Sequence, residues 1–196
     1  MKKNYLIRVC LLLSLAIIFF IKTYAANETL ASGAFIINMG ATNPGTIANS
    51  IKPYGLIYDI IRNYNVPVKF IVNPSKSKDG VDFTYNGVQY KGGTFVIKSE
   101  YRTAAVNSRI TYWMGLGVVG TTTTTTVTLD ITLTLDSYPR WTLDGQTGNI
   151  AENFLLNAGI TNTAFPGAYN WKLPSQLNGC DDFFIYYRPG SFWFPQ

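Results

Sequence analysis

The chain of 196 residues carries 16 basic and 11 acidic side chains and no histidine, and 47% of its residues are hydrophobic. This composition is typical of a folded globular protein, and the length suits one domain. The absence of histidine excludes Ser-His-Asp and Cys-His catalytic relays and the usual histidine-containing zinc sites. General acid–base chemistry near neutral pH would therefore fall to carboxylates or lysine.

The first 25 residues have the three parts of a cleavable secretory signal peptide. Basic residues precede an apolar run at 9–21, and the segment ends at the small residue Ala25. The run is shorter than the ~20 apolar residues that a membrane-spanning helix needs. We therefore predict cleavage after Ala25 and a secreted or cell-surface protein that meets the membrane only through this signal. An uncleaved N-terminal anchor is the alternative.

Cleavage changes the charge and the cysteine content of the chain. The signal contains Lys2, Lys3, Arg8 and Lys22, so 12 of the 16 basic residues remain against 11 acidic ones. A near-neutral chain without a basic cluster argues against a nucleic-acid partner. Cys180 becomes the only cysteine, and no internal disulfide is expected.

The pattern of the remaining chain begins with a strand, a helix and a second strand. Residues 34–39 form a compact apolar run, apolar residues recur at helical spacing from Pro53 to Tyr64, and residues 66–72 form a second apolar run. Asp59 falls on the polar side of that helix. This succession predicts a βαβ unit whose two strands pair in parallel.

The sharpest local signal is Asn86-Gly87, which lies between alternating runs. It predicts a two-residue hairpin turn with both central residues at positive φ. The same register places Asp82 opposite Lys91.

The rest of the chain continues this mixture of elements. We predict a strand at 94–98, a helix at 103–117 with Met114 inward, an alternating strand at 127–135, a helix at 149–158 opened by a capping box of Asn149 and Glu152, a loop at 161–179 and a last strand at 183–187. The predicted fold class is α/β, a mostly parallel sheet with flanking helices plus a β-hairpin and an alternating edge strand. It forms a single domain at 34–187, preceded by a short lead at 26–33.

The loop after the first strand is one candidate ligand site. Residues 40–46 contain two glycines and a threonine but lack the lysine of a phosphate-binding loop, so a turn is the favoured interpretation. Open α/β sheets nevertheless bind ligands at the carboxyl ends of their strands. Asn38, Thr42 and Asn43 are the polar side chains that would contact a ligand there.

Two other groups of residues suggest ligands near the C-terminus. Asp181 and Asp182 are adjacent carboxylates that could hold a divalent cation, although neighbouring strand residues point to opposite faces and a solvated strand start is favoured. Tyr169 and Trp171, in a predicted loop, are the aromatics best placed to stack on a sugar. No cofactor is predicted.

Several motifs resemble an N-terminal module of large secreted surface proteins of gliding and social bacteria. The resemblance covers most of residues 34–185, and its motifs lie at 38–40, 52–59 (KPYGLIYD), 66–69, 79–83, 90–93 and 100–107 (EYRTAAVN). It implies a strand and helix order similar to the class I glutamine-amidotransferase-like α/β group and carries no catalytic residue over, because that group's cysteine and histidine have no counterparts here.

The resemblance breaks near the end of the chain. In the family, the segment similar to 180–185 continues into a stretch with histidine and aspartate, whereas this chain continues with an aromatic segment. Residues 188–196 therefore form an atypical tail, and a truncated or frameshifted copy of a longer surface protein is the hypothesis that follows.

The favoured functional interpretation is a non-enzymatic or degenerate module of an exported cell-surface protein, acting in adhesion or assembly. Its partner would be a surface or secretion-apparatus protein, or a glycan. Two alternatives remain open. One is an amidotransferase-like or other hydrolase that is inactive in this chain, and the other is a carbohydrate-binding module.

Overall fold

The elements of the fold are known from a computed structural model that describes residues 26–46, 49–179, 181 and 183–185. The predicted signal peptide, Cys180, Asp182 and the tail at 188–196 lie outside the described residues. The strands are β1 (Ala26–Leu30), β2 (Phe35–Thr42), β3 (Val68–Ile71), β4 (Val81–Tyr85), β5 (Val88–Lys91), β6 (Thr94–Ile97), β7 (Val118–Thr122), β8 (Val127–Ile131), β9 (Leu133–Leu135), β10 (Trp141–Asp144), β11 (Tyr169–Lys172) and β12 (Phe183–Ile185). The helices are α1 (Lys52–Tyr64), α2 (Ala104–Gly115) and α3 (Asn149–Ala158).

The predicted mostly parallel sheet is wrong, because the five-stranded central sheet is antiparallel throughout, with the order β7-β2-β6-β3-β9. β2 and β3 do run in the same direction, but β6 lies between them and pairs antiparallel with both. Every residue of β6 is buried, so this strand requires cover on both faces and a central place in the sheet. The strand–helix–strand pattern therefore predicted the relative direction of β2 and β3 correctly, but the two strands are not neighbours in the sheet.

A second strand–helix–strand unit, β6-α2-β7, interleaves with the first. β2 separates β6 from β7 just as β6 separates β2 from β3. The result is the split β-α-β-β-α-β order of ferredoxin-like sheets, with β9 added beside β3. This order differs from the mostly parallel one that the family resemblance implies.

The two faces of the central sheet are covered by different layers, because successive strand residues point to opposite sides. Phe35 and Ile37 pack on the side of the helices, in a core that includes Leu56, Ile60 and Trp113. The opposite face is covered by the β4–β5 hairpin and the β1–β8 pair. Its core residues are Leu30, Ala34, Ile36, Ile71, Tyr85, Tyr90, Val96, Leu129 and Ile131.

Parallel pairing occurs in a separate three-stranded sheet with the order β11-β10-β12. α3 connects β10 to β11, and its Leu155 and Ala158 are buried in the same core as α1. The loop predicted at 161–179 is wrong in part, because it contains β11. The predicted capping box is also wrong, since Gly148 is the N-cap without a side-chain hydrogen bond.

The hairpin turn is confirmed. Asn86 and Gly87 have φ values of 48° and 76°, and Phe83 pairs with Tyr90 as the turn requires. The register then shifts so that Lys91 pairs with Val81. The predicted pair of Asp82 with Lys91 is wrong, because a bulge removes Asp82 from the ladder.

The bulge turns Asp82 into the protein, where it joins three segments. Its carboxylate accepts hydrogen bonds from the backbone N–H groups of Asn73 and Gly93, both at 2.9 Å, and lies 2.6 Å from Lys76 Nζ. Burial opposes the ionisation of Asp82, but these donors outweigh it and lower the pKa of Asp82. Asp82 is a structural connection between β3, the hairpin and β6.

The long alternating strand predicted at 127–135 is divided at Thr132. β8 pairs with β1, whereas β9 pairs with β3 in the central sheet. The Thr132 hydroxyl accepts from the backbone N–H of Val72 at 2.9 Å and donates to its carbonyl at 3.2 Å. A side chain thus replaces a strand pair at the point where the chain changes sheets, and Leu133 beyond it is exposed.

Burial of Asp59 on α1 contradicts its predicted place on the polar side of the helix, since its exposed fraction is 0%. Its carboxylate accepts from Arg109 Nε, Trp113 Nε1 and Asn63 Nδ2, each at 2.7 Å. Two of these donors lie on α2, so the buried charge connects the two helices. Met114, predicted to face inward, is 43% exposed. None of the described helices is long and apolar enough to cross a membrane.

Gly55 sets how closely α1 approaches the other helices. A methyl group at this position would overlap the carbonyl oxygen of Ala158 and the ring of Trp113. We expect Gly55→Ala to lower the free energy of unfolding by about 2–3 kcal/mol, because the overlap includes rigid backbone. Chemical denaturation measures this. The control is Gly115→Ala, whose methyl meets no atom within 4 Å and should stabilise α2 by about 0.5 kcal/mol.

Removal of the Asp59 carboxylate should also destabilise the fold. We expect Asp59→Ala to cost about 3 kcal/mol, because the Trp113 indole N–H and the Arg109 guanidinium lose their acceptor. The matched control is Asp136→Ala at an exposed position, expected within about 0.5 kcal/mol of the parent. Equal effects of the two substitutions would contradict the structural role of Asp59.

Candidate functional site

A polar cleft of about 350 Å³ lies along the parallel strands β10 and β11. It is the candidate site because two of the residues that the sequence suggested, Tyr169 and Asp181, line it. The remaining lining residues, which with these two define the polar cleft, are Arg140, Trp141, Thr142, Gly167, Asn170, Lys172 and Asn178.

The floor of the polar cleft consists of alternate side chains along two paired strands, β10 and β11. Thr142 on β10 is the register partner of Asn170 on β11, and Lys172 follows two residues later. These three side chains therefore lie on one face of the strand pair. Leu143 and Tyr169 alternate with them and are buried in the core, which fixes the orientation of the polar face.

Asp181 is the central acceptor of the polar cleft. Both of its carboxylate oxygens contact Lys172 Nζ, at 2.7 and 2.8 Å. The Thr142 hydroxyl donates to one oxygen and the backbone N–H of Asn178 to the other, each at 2.9 Å. The lysine, the Asn178 amide and the threonine together lower the pKa of Asp181 to about 2.

These four hydrogen bonds also bear on the predicted metal site. A carboxylate has about four lone-pair positions, and the contacts with Lys172, Thr142 and Asn178 use them. A lysine in direct contact further disfavours a cation. Among the described residues no group of three or more His, Cys, Asp or Glu side chains could hold a metal ion. Asp182, the other predicted ligand, lies outside that part of the chain.

Neither of the two aromatics that were predicted to stack on a sugar lies where such stacking requires. Tyr169 is 7% exposed, and its hydroxyl donates to Glu152 Oε1 at 3.0 Å. Burial, reinforced by that carboxylate, raises the pKa of Tyr169. Trp171 is 42% exposed, but it lies on the face of β11 opposite Asn170 and Lys172 and does not line the polar cleft.

The candidates after the first strand lie in the central sheet, apart from the polar cleft. Asn38 lies within β2, and its Oδ1 accepts from the backbone N–H of Gly40 at 3.1 Å where the pairing with β7 is irregular. Thr42 pairs with Val118 at the end of β2. The backbone N–H of Asn43 donates to the Gly117 carbonyl at 2.9 Å. The contacts of these three residues named here are therefore local or with the neighbouring strand β7 and the turn before it.

The carboxyl end of β10 is occupied by the side chain of its last residue, Asp144. Ligands of parallel sheets commonly bind at this end, but Asp144 is buried there and accepts from both the N–H and the hydroxyl of Thr147. A buried carboxylate beside the start of α3 disfavours an anionic ligand. The polar cleft lies instead on the face of the two strands and extends along β11 to Lys172, the register partner of Asp144.

Sequence reasoning missed Thr142, Asn170 and Lys172. The predicted loop at 161–179 hid the second strand, and the four residues of each strand are too few for a strong periodic signal. A comparison of Trp-Thr-Leu-Asp at 141–144 with Tyr-Asn-Trp-Lys at 169–172 shows the same alternation of apolar and polar residues. That match was the available indication of a paired, half-buried face.

Comparisons of this chain with protein-family models, curated proteins and solved structures find no match. The resemblance to a bacterial surface-protein module therefore stays a prediction. The mostly parallel order that it implies is contradicted by the central antiparallel sheet.

The ion pair of the polar cleft predicts a pH dependence. The pKa of Asp181, about 2 in the folded chain, lies below its ordinary value of 3.8. Its ionised form therefore stabilises the fold above pH 3.8, and this contribution is lost as the pH falls toward 2. Carboxyl ¹³C NMR should show Asp181 titrating near pH 2, and Lys172→Met should move the midpoint upward. An unchanged midpoint in Lys172→Met would contradict the pairing.

Proposed function

We propose that this chain is a non-enzymatic module of an exported cell-surface protein and acts in adhesion or assembly. The observation that carries the proposal is that each buried carboxylate among the described residues already serves as a structural acceptor. A general base needs a free acceptor and a pKa near the working pH. A binding module has neither requirement.

The buried carboxylates Asp59, Asp82 and Asp144 and the half-buried Asp181 show this consistently. Asp59 is held by α2, and Asp144 by Thr147. Asp82 and Asp181 each combine a lysine with backbone N–H donors, and the pKa of each is lowered. A lowered pKa keeps a carboxylate ionised and makes it a weaker base, so these groups suit the stabilisation of the fold rather than proton transfer.

Two properties of the sequence support the export part of the proposal. The basic, apolar and small-residue parts at 1–25 match a secretory signal. The remaining chain has a single cysteine, Cys180, so its fold does not depend on disulfide formation after export. The partner is a surface or secretion-apparatus protein, or a glycan.

Export is tested by expressing the full chain with a C-terminal epitope in a Gram-negative bacterium. We expect mass spectrometry to find Ala26 as the mature N-terminus, and protease added to intact cells to remove the epitope. The control replaces Leu12 and Leu13 by aspartate, which disrupts the apolar run and should keep the chain inside. An uncleaved chain that is protected from protease in intact cells would contradict the proposal.

The non-enzymatic part is tested with the purified mature chain. A panel of ester, amide and glutamine substrates should show no turnover above that of heat-denatured protein. Turnover that is lost in Asp181→Asn, with thermal unfolding unchanged, would overturn this part and favour a hydrolase.

A further inference from the structure

We propose that the polar cleft binds a neutral sugar through Asn170 and Lys172, on the face of β11 opposite Trp171. The inference rests on the proposed function, because it specifies a glycan as the partner of the surface module. It differs from the sequence expectation, which placed sugar binding on Tyr169 and Trp171.

Three charged side chains line the polar cleft, and all three already have interaction partners: Arg140, Lys172 and Asp181. The ammonium of Lys172 contacts both oxygens of Asp181, so the two charges largely cancel. Asp181 is itself saturated and cannot accept further hydrogen bonds from a ligand. It acts as a positioning residue that holds Lys172 and Thr142 in place.

The remaining hydrogen-bonding capacity suits hydroxyl groups. An ammonium has three donors, and Lys172 keeps one after its two contacts with Asp181. Thr142 donates to Asp181 and is buried, with an exposed fraction of 2%, so it positions Asp181 and does not contact the ligand. The side chain of Asn170 is exposed, engages no partner among the described residues, and offers both donors and an acceptor. A ligand that both donates and accepts at several adjacent positions, as sugar hydroxyls do, matches this set.

The apolar layer beneath the polar cleft holds its two strands in place. Trp141 precedes Thr142 and is the register partner of Tyr169, so its ring faces the core, where it packs against Tyr58 with centroids 5.1 Å apart. The cleft volume of about 350 Å³ falls at the lower end of the ~300–1,000 Å³ typical of small-ligand sites. It fits a small ligand or the end of a glycan.

Binding is tested on the purified mature chain with two kinds of probe. Saturation-transfer NMR uses free glucose, galactose, mannose and N-acetylglucosamine, and a glycan array presents the same sugars at chain ends. Signal in both supports recognition of the sugar itself, and signal on the array alone supports recognition of a terminal residue in a longer glycan. Inorganic phosphate and acetate are the anionic probes.

The variants locate the site. Asn170→Ala should weaken binding of the best sugar about tenfold, because it removes hydrogen bonds to the ligand. The control Asn157→Ala changes an exposed asparagine on α3 and should leave the affinity unchanged. Trp171→Ala should also bind normally. Circular dichroism and thermal unfolding confirm that each variant is folded.

Three results would overturn the inference. They are the absence of sugar binding by either method, binding that is lost in Trp171→Ala but kept in Asn170→Ala, and binding of phosphate or acetate in place of sugar. Each leaves the tests of export and of absent turnover unaffected, so failure of the sugar site is distinguishable from failure of the proposed surface function.

Discussion

The rest of the structure depends on the burial of α1, a helix that contacts α2, α3, β2 and β7. A helix enclosed on so many sides buries Asp59, which is stabilised because α2 supplies the donors of Arg109 and Trp113 and α1 itself supplies Asn63. Gly55 allows the close approach of Trp113 and of the Ala158 carbonyl. The helix layer of the antiparallel sheet and the cover of the parallel sheet are therefore one packed core.

A carboxylate that accepts hydrogen bonds from several segments of the chain also occurs at two other junctions of the fold. Asp82 joins β3, the hairpin and β6 at a bulge, and Asp181 joins β10 and β11 to the chain that enters β12. A charge removed from water is costly unless it is paired and hydrogen-bonded, so the buried Asp82 and the half-buried Asp181 each require their specific partners. The polar cleft is a consequence of one such junction, since Asp181 holds Lys172 and Thr142 around it.

The candidate site was only partly visible in the sequence. Asp181 and Tyr169 were identified, but the roles expected of them, metal binding and sugar stacking, depended on which atoms approach them. Lys172 is nine residues from Asp181 along the chain, and Thr142 is 39 residues away. A single sequence contains no measure of those contacts. Trp171 stood out as a loop aromatic, yet β11 directs it away from the polar residues of the same strand.

The sequence by itself determined the local elements whose signals are short in range. These are the helices at α1, α2 and α3, the Asn86-Gly87 turn and the strand positions of β2, β3 and β6. Only the tertiary structure decided that β6 lies between β2 and β3, that Asp59 faces inward and that the alternating run changes sheets at Thr132. Periodicity reports which face of an element is apolar. It does not report which distant strand supplies the hydrogen bonds or which distant side chain neutralises a buried charge, and those two choices made the sheet antiparallel and built the polar cleft.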